Sequence, residues 1–166
     1  MKSKRVYSID SCTLMNFNIY YKREFFSTIW DGLDALTEDE RLIASEFVLE
    51  EIKRGNDALV KWANEHKSIF KRTNREQIEI VKEIMSTHGS LVKHNSEENQ
   101  ADPFVIALAI EGKRKYEDQM FPTEEFVVIT DETYRPERIK IPNVCQHYGI
   151  ECIDRFGFFD EMGWSW

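Results

Sequence analysis

The chain has 166 residues, 42% of them hydrophobic and 31% charged; that length suits one domain over residues 1–166, and that apolar content excludes a disordered chain. A net charge of −8 excludes a protein whose whole surface grips nucleic acid. No apolar run approaches the roughly 18 residues of a membrane span, the basic start runs into a segment broken by Asp10 that is too short and polar for a secretory signal, and three cysteines, an odd number, suit a reducing cytoplasm.

Val6 to Ile9 reads as a short buried strand, with Asp10 and Ser11 just past it. Leu14, Phe17, Tyr21, Phe25 and Trp30 recur at helical spacing, which predicts one helix over 14–30, ended at Gly32. Arg41 to Ala44 reads as a second strand. Ser45 would cap a helix running to about Arg54, stopped by Gly55. A helix starting at Asn56 or Asp57 would bury Leu59, Val60, Trp62 and Ala63, and Arg75 to Met85 forms another. Residues 95–100 read as a polar loop. Asp102 and Pro103 then open the clearest helix of the chain, with proline at a position that needs no backbone donor. Phe126 to Ile129 is a buried strand, Ile141 begins a short helix closed by Gly149, and Ile150 to Ile153 is the last strand. The aromatic tail (Phe156, Phe158, Phe159, Trp164, Trp166) either packs back on the core or serves an interface.

Strands alternating with helices predict an α/β fold: a central parallel β-sheet flanked by helices on both faces, three layers in all. Ligands in such sheets gather at the carboxyl ends of the strands, where Asp10 and Asp131 fall.

Taken singly, each acid has an ordinary explanation. Asp10 suits a turn, Glu51 a solvated helix face beside Glu46 and Glu50, Asp102 a helix N-cap, and Asp131 with Glu132 a strand-to-helix turn. Taken together, several convergent carboxylates do not all ionise cheaply side by side, and Mg²⁺ or Mn²⁺ is the hard cation that carboxylate oxygen suits. That chemistry points to metal-assisted phosphodiester cleavage. Lys22 with Arg23, Lys53 with Arg54, Lys71 with Arg72, and the run Lys113 to Lys115 are local basic groups that either contact phosphates or simply face solvent. The four histidines lack metalloprotease spacing, Cys145, His147 and Cys152 lack the paired spacing of a zinc site, and Cys12 has no identifiable histidine partner. No phosphate-binding glycine motif occurs.

In combination, these motifs resemble the PIN-domain nucleases, in particular the small prokaryotic PIN-like proteins, many of them toxins of toxin–antitoxin pairs. Asp10 and Ser11 match the family's strand-ending Asp-Ser/Thr. Val48 to Ile52 matches V-x-x-E-L/I and selects Glu51 over Glu50. Ala101 to Ala109 matches A-D-x-x-I-A-x-A, and Val127 to Glu132 matches the V-V-T-x-D strand end. The last match reads Thr130-Asp131-Glu132, so either Asp131 or Glu132 serves as the fourth acid. The segment 60–95 is longer than in the smallest members, and the ending resembles a PIN-like subgroup of uncharacterised role.

The resemblance implies one or two Mg²⁺ or Mn²⁺ ions held by Asp10, Glu51, Asp102 and Asp131 or Glu132. Asp10 and Asp102 would be the primary ligands, and Glu51 a ligand or an aid in deprotonating the attacking water. Ser11 and Thr130 would orient these groups by hydrogen bonds. It also implies an RNA substrate, a protein antitoxin as partner and a homodimer, in a cytoplasmic protein. Two rivals stand beside an endoribonuclease: a non-catalytic PIN-like scaffold that binds RNA or protein, and a DNA nuclease of repair or phage defence.

Overall fold

A computed structural model describes residues 2–55, 57–92 and 100–165. Five strands form one sheet, β1 (Lys4–Ile9), β2 (Leu42–Ser45), β3 (Phe70–Lys71), β4 (Glu124–Ile129) and β5 (Glu151–Ile153). Their order is β3-β2-β1-β4-β5 and every pairing is parallel. Around the sheet lie α1 (Ser11–Tyr20), α2 (Ser27–Glu38), α3 (Glu46–Lys53), α4 (Asp57–Glu65), α5 (Arg75–Thr87), α6 (Asp102–Lys115), α7 (Ile141–Tyr148) and α8 (Arg155–Met162). This is the three-layer α/β arrangement that alternating strands and helices predict.

The order places β1 at the centre, with β2 on one side and β4 on the other. The chain therefore reverses direction across the sheet at the carboxyl ends of β1 and β4, where α/β folds open a crevice. Tyr7, Ile9, Leu42, Ala44 and Val127 to Ile129 fill the sheet's interior. Helix α6 is buried nearly all round, with Val105 to Ile110 in the core, so its amino end is fixed firmly against the sheet.

Two local expectations need correction, and one open alternative is resolved. The segment 14–30 is two helices, because the chain turns at 21–26 and the Trp30 indole donates to the Tyr21 carbonyl at 2.6 Å. Gly32 lies inside α2 and stops nothing. A Cβ there would sit 2.1 Å from the Trp164 ring, so glycine serves close packing of the carboxyl-terminal segment. The aromatic tail is helix α8 and its sequel: Phe158 and Phe159 are buried, while Phe156 stays exposed. Ser45 does cap α3, its hydroxyl accepting from the Phe47 N–H at 3.2 Å. Gly149 does close α7 in the left-handed region, φ 66°. The polar loop at 95–100 lies outside the described residues except for Gln100, as does Trp166.

Candidate functional site

Asp10 leaves the carboxyl end of β1 and caps α1. Its Oδ1 accepts from the Thr13 N–H at 2.8 Å and its Oδ2 from the Thr130 hydroxyl at 2.5 Å. Thr130 follows β4, so one hydroxyl joins the ends of the two central strands. Asp10 is 2% exposed. Burial pushes its carboxyl up to about 6, against the opposing pull of the Thr13 and Thr130 hydrogen bonds and with Glu132 adding repulsion.

Glu51 is a strut on α3. Its Oε2 accepts from the Ser11 hydroxyl at 2.7 Å and its Oε1 from the Ala101 N–H at 2.8 Å. It thereby ties the start of α1 to the start of α6. Helical geometry explains why Glu51 and not Glu50 does so: Val48 and Ile52 are buried on the inner face, and Glu50, one residue off, is exposed.

Asp102 is not the N-cap that its position before Pro103 suggests. It stands inside the first turn of α6, Ala101 occupies the cap position, and no side chain caps this end. The freed carboxylate is 5% exposed, and its Oδ2 is buried without a hydrogen-bond partner. Burial foremost, then repulsion from Glu132, Asp10 and Glu51, pushes Asp102 up to about 9, far above the ordinary 3.8. Those three repulsions record that the four carboxylates share one electrostatic neighbourhood.

Asp131 and Glu132 part company. Asp131 is taken up by other partners: its Oδ2 accepts from Arg155 Nη1 at 2.9 Å and from Asn16 Nδ2 at 2.7 Å, and its Oδ1 from the Arg155 N–H at 3.1 Å. Glu132 stays with the acids. Its Oε2 accepts from the Ile141 N–H at the start of α7 at 3.0 Å, and Lys140 Nζ lies 3.8 Å from its Oε1. A groove of about 410 Å³ opens beside this pair, lined by Thr130, Asp131, Glu132, Thr133, Tyr134 and Asp154 among others.

The acids face one another without meeting at a point. Among the described residues, no three of His, Cys, Asp or Glu stand close enough to cage a metal ion as they are. Cys12 sits on the rim, and burial with the surrounding carboxylates pushes its thiol up to about 12. It is therefore held as a thiol, a poor nucleophile.

Residue patterns missed several parts of this arrangement. Thr13 holds Asp10 through its N–H, and its hydroxyl accepts from the Asp131 N–H at 3.0 Å. Asn16, Lys140 and Arg155 also escaped notice. Thr13 carried a usable signal, three residues past a capping aspartate. Arg155 carried none, because only folding brings it to Asp131.

No curated protein and no solved structure matches the chain. A family model does match, over residues 7–166, and its span takes in every acid described above. The chain belongs to that family, a domain of unknown function designated DUF4411.

Proposed function

We propose that this chain is a metal-dependent nuclease of the PIN class that hydrolyses RNA phosphodiester bonds. The observation that carries the proposal is the Asp102 Oδ2, an acceptor buried without a partner beside three further carboxylates. A buried, unsatisfied acceptor is costly, and native folds keep few of them without a use. A hard cation fits this donor set: all oxygen, mostly carboxylate, short of positive charge.

Asp10, Asp102 and Glu132 are the residues that would hold such an ion, with Glu51 beside them. The chemistry that Mg²⁺ or Mn²⁺ supplies there is charge stabilisation on phosphate oxygens and a more acidic water. The chain's own groups do the positioning. Thr130 and Thr13 fix Asp10, and the Ser11 hydroxyl fixes Glu51. Glu51 in turn fixes the Ala101 N–H and so the turn that bears Asp102. Lys140 offsets part of the charge of Glu132. Asp131 is a positioning residue, since its oxygens are occupied by Arg155 and Asn16.

The likeness to PIN nucleases supports RNA over DNA, a cytoplasmic site of action and control by a protein antitoxin. The test is cleavage of a mixed RNA pool by purified protein with Mn²⁺ or with EDTA, beside Asp102→Asn. Cleavage that needs both the metal and Asp102 supports the nuclease. A folded protein that neither cleaves RNA or DNA nor binds Mn²⁺ would sink it in favour of a scaffold.

A further inference from the structure

Beside the acids, the surface changes character. Asn16 and Tyr20 are four residues apart and so share a face of α1. Asn16 holds Asp131, and Tyr20 comes next along the same face. The Arg155 guanidinium, fixed by Asp131, lies 5.4 Å from the Tyr20 ring centre and 4.8 Å from that of Phe156. Both rings are largely in solvent, Tyr20 60% and Phe156 59% exposed. Their neighbours Phe158 and Phe159 show that the core had room for aromatic rings from this segment, and these two were left outside it.

An acidic protein with an acidic cleft faces a difficulty with a polyanionic strand. Among the described residues, two cations beside the acids are already engaged, Arg155 by Asp131 and Lys140 by Glu132. Phosphate contacts from these two cations therefore give little grip. Bases have neutral π-faces, and stacking on aromatic rings and on guanidinium planes holds a strand without phosphate contacts. Stacking of this kind needs bases that are not paired in a duplex.

We propose that Tyr20, Arg155 and Phe156 form a stacking subsite that seats an unpaired base of a nucleic-acid strand beside the carboxylate cleft. The proposal deepens the nuclease reading and rests on it for the strand's direction toward the acids. The α1 face from Cys12 at the acids to Tyr20 at the shelf spans about 12 Å, so the seated base lies a short way along the strand from the phosphate at the acids.

The experiment is fluorescence anisotropy of the full chain in EDTA, where no metal-dependent cleavage occurs. The probes are a fluorescein-labelled single-stranded RNA of mixed sequence, the same strand annealed to its complement, and an abasic version. The wild type should prefer the single strand over both others. Tyr20→Ala and Phe156→Ala should each weaken single-strand binding roughly tenfold, and Tyr20→Phe and Phe156→Trp should restore it. Exposure of both rings keeps these variants folded, which circular dichroism verifies. Equal binding of the abasic strand, or alanine variants that bind like the wild type, would overturn the subsite. Cleavage and Mn²⁺ binding measured alongside separate the two ideas: single-strand binding that needs the rings, with neither cleavage of RNA or DNA nor Mn²⁺ binding, removes the nuclease and keeps the shelf. Cleavage with an unaltered KM in both alanine variants removes the shelf and keeps the nuclease.

Discussion

At the amino ends of the strands, Arg5 on β1 stands among three glutamates. It lies 3.3 Å from Glu125, 2.9 Å from Glu151 and 2.7 Å from Glu161, and the Tyr7 hydroxyl donates to Glu161 as well. The guanidinium is held charged well above its usual range, chiefly by Glu151. At the carboxyl ends, Asp10, Glu51, Asp102 and Glu132 gather, and Lys140 stands 3.8 Å from Glu132. Arg155 is paired with Asp131. Both edges collect acids. One edge carries its own counter-ion and is finished as a structural network; the other leaves a buried carboxylate oxygen unsatisfied. Acidic residues alone therefore say little, and the unsatisfied Asp102 Oδ2 is what separates a candidate site from a brace.

The sharpest way to break the comparison is to replace acids at the carboxyl edge. Asp102→Asn should lower Mn²⁺-dependent cleavage about a hundredfold or more, since on the proposed reading it removes a ligand from the centre of the cluster. Glu132→Gln should act comparably. Asp131→Asn should reduce cleavage by roughly tenfold or less, because it disturbs the setting of Arg155 and not the acids themselves. Rates for these three variants, with Mn²⁺ titrations of each, decide which residue is the fourth acid. Equal losses at Asp131 and Glu132 would erase the distinction drawn from their hydrogen bonds.

Much of the contrast is legible in the residue pattern. The β-branched runs at 6–9 and 126–129 mark the central strands, and an acid at each end marks the crevice. The start of α6 was legible from Ala101, Asp102 and Pro103, although the pattern suggested a cap where the carboxylate is in fact left open. The break at 21–26 was hidden because aromatic spacing runs straight through it: Tyr21 and Phe26 pack edge to face at 5.3 Å, so the turn keeps both apolar. Strand β3 has only two residues and no periodicity to read. Helix α8 has Gly157 among phenylalanines and offers no amphipathic stripe. The hydrogen bonds that set Asp131 apart from Glu132 involve Arg155, 24 positions away, and local spacing carries no information about it.

The two edges should also differ in their response to pH. Burial holds Asp102 at about 9 and Asp10 at about 6 in the folded protein, against 3.8 as the ordinary value. The native state thus binds more protons than the unfolded chain between these limits. Stability from this source is full below the ordinary value and is lost as pH rises through the folded values. Metal-free melting temperature should therefore fall between about pH 5 and about pH 9, and Asp102→Asn should flatten that fall. Mn²⁺ should raise the melting temperature more near pH 8 than near pH 6, because binding needs the deprotonated acids. A metal-free profile that climbs over this range would mean the carboxylates are compensated by some cation of the chain itself.

The smallest effect belongs to the finished edge. Arg5→Ala would leave Glu125, Glu151 and Glu161 facing one another without their shared cation. Glu125 and Glu151 are half exposed, so water screens much of the repulsion. The loss should amount to about 1–2 kcal/mol in urea unfolding. Cleavage rate and Mn²⁺ affinity should not move, since the sheet's length separates Arg5 from the acids, about 17 Å at 3.3 Å per residue over β1. Raised salt should recover part of the lost stability by screening the three glutamates. If Arg5→Ala instead impaired Mn²⁺ binding, the two edges would be coupled through β1, and the brace would belong to the site.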